Sequence, residues 1–180
     1  MSDPVPQAGA SAGLAAPPLP RRLELWLPTL IVVSDQLTKA AVRATVPLYA
    51  SVSVVPGLLN VTHIRNSGAA FGILNGSDFP LKTVVLGVIA MAALVGVGLY
   101  AAQLAHHQLA ARVGLALILG GAAGNLVDRV VVGSVVDFVD VYWRTYHFWA
   151  FNVADSAITV GVGIMILDMF GVSTHASKTL

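Results

Sequence analysis

Twenty-three consecutive residues, Thr83 to Ala105, carry no Asp, Glu, Lys or Arg. A helix of about 20 apolar residues crosses the hydrocarbon core of a bilayer, so this run commits the chain to a membrane. The rest of the composition agrees. Of 180 residues, 56% are hydrophobic and 11% charged, against about 25% charged in a soluble domain. Ten Lys and Arg against nine Asp and Glu leave a net charge of +1, too sparse for the basic face that neutralises phosphates, so no nucleic-acid partner is expected. The absence of cysteine removes disulfides, thiolate nucleophiles and cysteine metal sites.

Three further apolar stretches extend the reading to four spans, at about 23–42, 83–105, 113–128 and 153–170. Residues 1–22, rich in Pro, Ala and Gly before Arg21 and Arg22, read as a disordered tail. Residues 171–180 read as a second tail. Asp35 and Lys39 interrupt the first stretch and no small-residue cleavage site follows, which favours an uncleaved membrane helix over a signal peptide. Four spans put both termini on one side. Lys and Arg counts in the loops do not settle which, but the Arg21–Arg22 pair before the first span favours cytoplasmic termini. Between spans, residues 50–74 hold a β-branched stretch with Pro56–Gly57 as a turn, and residues 130–150 are rich in Val and aromatics, so a small β-rich element and an outer loop segment are expected on one face of the bilayer. The expected fold class is an all-α membrane protein of four transmembrane helices with that extracytoplasmic element.

Polar side chains inside spans are expensive, by about 2.5–3.5 kcal/mol for a charge at the bilayer centre, so each needs a reason. Asp35 and Lys39 lie four apart on one helix face, in the favourable order for an ion pair. A structural pair is favoured there over direct substrate contact. Asn125, Asp128 and Arg129 fall at i, i+3 and i+4, and Asn152, Asp155 and Ser156 repeat that spacing. With four spans, all three clusters meet at one interface. Asp168, 13 residues past Asp155, is about 20 Å along the helix and belongs to the other face. Asp137 lies in the segment that closes over the same interface, so Asp137 and Asp155 can meet. Two carboxyls in close approach cannot both ionise, which leaves one acid and one base for water-mediated amide hydrolysis.

Read together, Asp35-Gln-Leu-Thr-Lys39, Asn66-Ser-Gly-Ala-Ala-Phe71, Gly120-Gly-Ala-Ala-Gly-Asn125-Leu-Val-Asp-Arg129, Val136-Asp137-Phe138 and Phe151-Asn-Val-Ala-Asp155-Ser156 resemble the lipoprotein signal peptidases, the signal peptidase II family, over about residues 23–170. The resemblance implies a membrane aspartyl endopeptidase whose dyad is Asp137 and Asp155. Asn66, Gly68, Asn125, Arg129 and Asn152 then line the substrate site. It also implies cleavage of a diacylglyceryl-modified prolipoprotein just before the modified cysteine, in contact with membrane lipid, and a monomer is expected. The location implied is the outer face of a bacterial cytoplasmic (inner) membrane.

Alternatives remain at several positions. Asp128 and Arg129 divide between anchoring the outer segment and touching substrate, and Asp140 is a second acid close to Asp137. Gly120, Gly121 and Gly124 are expected to let helices pack closely rather than bind anything. Asn66 to Phe71 is either a turn closing the small sheet or a backbone edge for an extended peptide. His106 and His107 share no helix face, and no HExxH or GxSxG occurs, so neither metal nor other cofactor is expected and a zinc or serine peptidase is disfavoured. A small proton-coupled transporter is the rival from another class. It predicts polar residues through the whole bilayer depth, whereas here they crowd at one end.

Overall fold

The computed structural model describes residues 22–68, 81–105 and 108–176. The expected N-terminal tail up to Arg21, the Ala69–Phe71 part of one motif, His106, His107 and the final four residues lie outside the described residues. Eight elements follow in order: α1 (Arg22–Thr45), β1 (Ser51–Val55), β2 (Leu59–Asn66), α2 (Lys82–Gln103), α3 (Leu109–Val131), β3 (Val135–Trp143), β4 (Tyr146–His147) and α4 (Val153–Ala176). The architecture is mostly helical with one small antiparallel sheet.

Among the described residues three helices are long and apolar enough to cross a membrane, over Val84–Gln103, Leu109–Val131 and Val153–Gly171. The third stretch is longer than its apolar core suggests, because α3 begins at Leu109. In the same way α4 continues to Ala176, beyond the expected end at Phe170. With 24 residues α1 matches them in length, about 36 Å at 1.5 Å per residue, but Glu24, Asp35, Lys39 and Arg43 make it less apolar.

Helix α3 is the hub, packing against α1, α2 and α4. Its small residues make this possible. A Cβ on Gly120 would stand 2.9 Å from Pro28 Cα of α1, and one on Gly121 would strike the Ala154 carbonyl of α4. Gly114 and Gly161 bring α3 and α4 equally close lower down. The packing reading of these glycines therefore holds. Helix α2 differs, since none of its best apolar window is buried within the protein. An all-apolar helix with no buried stripe faces lipid.

The sheet runs β1-β2-β3-β4. Val61 pairs with Val139 but Ile64 pairs with Asp137, so β2 carries one extra residue, a bulge at Thr62–His63. The first half of β3, Val135 to Phe138, is buried on both faces. Val136 and Phe138 pack with Val42 and Val46 at the end of α1, while Val135 and Asp137 face a cavity on the other side. After β4 the chain returns along β3, where Phe151 and Val139 exchange backbone hydrogen bonds. That return delivers Asn152 to the flank of Asp137 and starts α4.

Candidate active site

The first turn of α4 is closed by a reciprocal cap. Asn152 Oδ1 accepts the Asp155 N–H at 2.9 Å, and Asp155 Oδ2 accepts the Asn152 N–H at 3.2 Å. This is a capping box built from Asn and Asp. Asp35 Oδ1 reaches across from α1 and accepts the Ala154 N–H at 3.0 Å. The orphan donors of the α4 terminus thus find acceptors, and Asp155 is held in one rotamer by the cap it completes.

Asn152 also links the two acids. Its side-chain amide donates to Asp137 Oδ1 at 2.7 Å, with weaker contacts to Asn125 Oδ1 and the Val136 carbonyl. Asn66 Nδ2 donates to Asp137 Oδ2 at 3.1 Å. The β2–β3 register pairs Asn66 with Val135, which makes Asp137 its diagonal neighbour on the same face. Asp137 is 4% exposed. Burial first, then the charge of Asp155, pushes its carboxyl up from 3.8 to about 7, against the opposing pull of the Asn66 and Asn152 donors and the Lys39 cation. A carboxyl that keeps its proton close to neutral pH beside a second carboxyl is suited to acid–base work.

Behind the acids lies a buried charge cluster. Lys39 Nζ stands 2.8 Å from Asp35 Oδ2 and 2.9 Å from Asp128 Oδ2, and donates to Asn125 Oδ1 at 2.9 Å. Asn125 Nδ2 in turn donates to Asp155 Oδ1 at 2.7 Å. Asp35 and Lys39 are fully buried and Asp128 is 1% exposed. The Asp35–Lys39 ion pair is therefore present and away from the surface. Asp128 accepts the Val136 N–H at 3.2 Å and pairs with Arg43 at 3.5 Å, which ties β3 to α3. Gln36 Nε2 braces the cluster through the Gly124 carbonyl and the Asp35 and Asp128 carboxylates. Arg129 instead donates to the Asn125 and Gly68 carbonyls and lines the cavity. Asp128 is thus turned toward β3 and Arg129 toward the cavity. Asp140 is turned elsewhere, paired with His147 and Asn60.

The cavity has a volume of about 830 Å³, within the range of small-ligand sites. Asn66, Asn125, Arg129, Asp137 and Asp155 line it, and α2 adds Leu86, Ile89, Ala90 and Ala93. Phe148 and Trp149 also line it. Sequence reasoning missed the α2 wall and Gln36. No signal distinguishes Leu86 or Ile89 from other residues of a helix that is apolar all round. Gln36, adjacent to Asp35, could have been found as a polar residue inside a span. Among the described residues no group of three or more His, Cys, Asp or Glu is placed to hold a metal ion.

Residues 27–171 match the family model described as signal peptidase (SPase) II. A lipoprotein signal peptidase of Geobacter metallireducens is 46% identical over 147 residues, covering 82% of this chain and 90% of that protein. One from Solibacter usitatus is 43% identical, covering 83% and 91%. A solved structure described as a bacterial membrane enzyme, obtained by the in meso method at 2.3 Å, is similar with a TM-score of 0.76 and 34% identity, over 84% of this chain and 90% of that one.

Proposed function

Since the chain belongs to the signal peptidase II family and is a peptidase that removes signal peptides from prolipoproteins, we propose that Asp137 and Asp155 are its catalytic pair. The observation that carries this is the common partner. Asn152 holds Asp137 through its side chain and Asp155 through its backbone, on the wall of one cavity. The pair shares one proton. The ionised member takes a proton from water as that water attacks the scissile carbonyl, and the protonated member donates to the carbonyl oxygen as it gains charge. Collapse of the tetrahedral intermediate passes a proton to the leaving amine and restores the pair.

Asn66, Gly68, Asn125, Arg129 and Asn152 serve as the polar wall against the substrate backbone, with Asp35, Lys39 and Asp128 supporting them from behind. The substrate in this reading is a diacylglyceryl-modified precursor, cut just before the modified cysteine. The apolar α2 and α4 side chains of the cavity support it, because acyl chains need such a surface and an unwound peptide needs polar groups beside it. In this reading α1 is a fourth span, both termini are cytoplasmic, as the Arg21–Arg22 pair favours, and the site opens at the outer face of the cytoplasmic membrane. The membrane domain is 23–170, working as a monomer with lipid around it.

The test is incubation of the purified protein in lipid with a diacylglyceryl-modified precursor, scored by gel shift. The signal peptide should be released from that precursor and not from its unmodified form. Proton flux into liposomes without cleavage would overturn the peptidase chemistry in favour of transport, and equal cleavage of both precursors would overturn the lipid requirement.

A further inference from the structure

The Asn125 amide has two chemically different ends, and its partners fix which way it faces. Its Oδ1 receives Lys39 Nζ at 2.9 Å and Asn152 Nδ2 at 3.2 Å, and its Nδ2 lies 2.7 Å from Asp155 Oδ1. If the amide were flipped, an NH2 group would face an ammonium and another NH2, and an oxygen would face a carboxylate. Each of those contacts is repulsive. The ammonium itself cannot turn away, because its three donors are taken by Asp35, Asp128 and Asn125. Asp35 and Asp128 alone could neutralise Lys39, so a third contact to a neutral amide is not required for charge balance.

We propose that Lys39 is a positioning residue for the reaction, whose ammonium polarises and orients the Asn125 amide and through it holds the Asp155 carboxylate in place for its acid–base work. This rests on the reading of Asp137 and Asp155 as the catalytic pair. Lys39 is fully buried and is not among the residues lining the cavity, so its effect passes through Asn125 rather than through substrate. A charge-assisted hydrogen bond at one end of an amide strengthens the donor at the other. The charged groups around the pair are Asp35, Lys39 and Arg43 of α1 and Asp128 and Arg129 of α3. Of these, Lys39 reaches Asp155 through a single amide, and its cation also favours the ionised form of Asp137.

Removing Lys39 alone would strand two buried carboxylates. The experiment therefore starts from Asp35→Asn, and compares it with Asp35→Asn/Lys39→Met, in which Asp128 keeps Arg43. Two further variants add Asn125→Ala to each, closing a double-mutant cycle. In the Asp35→Asn background, Lys39→Met should lower kcat by about 10–100-fold with KM within about threefold, as loss of an orienting contact does. The pH–rate profile should move to higher pH. In the presence of Asn125→Ala the same Lys39 change should cost almost nothing more. Multiplying losses, an unmoved pH profile, or a fall in KM alone would overturn the proposal. So would a charge-balanced Lys39→Met chain that fails to fold, since Lys39 would then be structural support. Asp137→Asn and Asp155→Asn run in the same assay separate the two readings. Activity in either refutes the dyad, whereas dead Asp variants with a silent Lys39 change refute only the role of Lys39.

Discussion

Asn152, fully buried, donates its side-chain amide to Asp137 Oδ1 across 2.7 Å. The same residue caps α4, so its removal acts on stability and turnover together. Asn152→Ala should lose the cap, about 1 kcal/mol, and leave Asp137 without one of its two amide donors. Thermal unfolding in detergent should show a modest fall, while turnover drops at least about 100-fold through lost positioning. A variant with normal turnover would remove Asn152 from the site.

Asp137→Asn and Asp155→Asn should each abolish cleavage while leaving the chain folded. Losses above about 1,000-fold are expected when one member of a unit that works together is removed. Asp168→Asn should stay within a few-fold, because its carboxyl is about 20 Å along α4 from Asp155. A folded but inactive Asp168→Asn enzyme would mean that the site lies elsewhere on α4.

The Asp137 carboxyl is held at about 7 in the folded protein, against an ordinary 3.8. Between those values the folded state keeps a proton that the unfolded chain has released. The stabilisation that protonated Asp137 contributes is therefore fully present below 3.8 and is lost as pH rises through about 7. Asp137→Asn has no charge to bury. Its Tm should match wild type near about pH 4 and exceed it near about pH 8, by up to a few kcal/mol in stability. Wild-type turnover should trace a bell, falling on the alkaline side as the shared proton leaves and on the acid side as the second carboxyl gains one. Identical Tm differences at both pH values would count against the burial of Asp137.

Gly121→Ala should damage both stability and turnover. The new methyl would strike the Ala154 carbonyl and stand 2.7 Å from Ile158 Cγ1, next to Asp155 on the first turn of α4. Overpacking of this kind costs about 1–3 kcal/mol. Gly98→Ala is the control, since nothing lies within 4 Å of a Cβ there. It should be neutral or gain up to about 1 kcal/mol in helix propensity. Equal Tm values for the two variants would contradict the close α3–α4 contact.

Chelators should leave turnover unchanged. All four carboxylate oxygens of Asp137 and Asp155 accept an N–H donor, from Asn66, Asn125 or Asn152. Those donors point at the lone pairs a cation would need. Loss of activity with EDTA, restored by one divalent ion, would show that this donor set rearranges around a metal.

The sequence showed most clearly what the membrane makes expensive. Asp35, Lys39, Asn125 and Asp155 stood out because polar groups in apolar stretches demand partners, and those partners are indeed one another. The span of α2 followed from the length of its uncharged run alone, whereas α3 and α4 extend beyond the apolar stretches that marked them. The separate work of Asp128 and Arg129 could not be read, since adjacent residues on α3 point about 100° apart and only packing tells which side meets β3. The α2 wall was hidden for the opposite reason. Where every residue is apolar, lipid-facing and cavity-facing positions look the same.

The bulge at Thr62–His63 acts as a parity switch. On β2, odd-numbered residues oppose the odd-numbered residues of β3 before it, at Val61 and Val139, whereas even-numbered residues do so after it, at Asn66 and Val135. Asp137 and Val135 set the cavity face, so Asn66 meets Asp137 only because one residue has been added to the count. With a regular ladder Arg65 would take that face, bringing a guanidinium rather than an amide to the acid and favouring its ionised form. A length change of one residue in this strand would therefore alter the chemistry of a side chain that it leaves untouched in sequence.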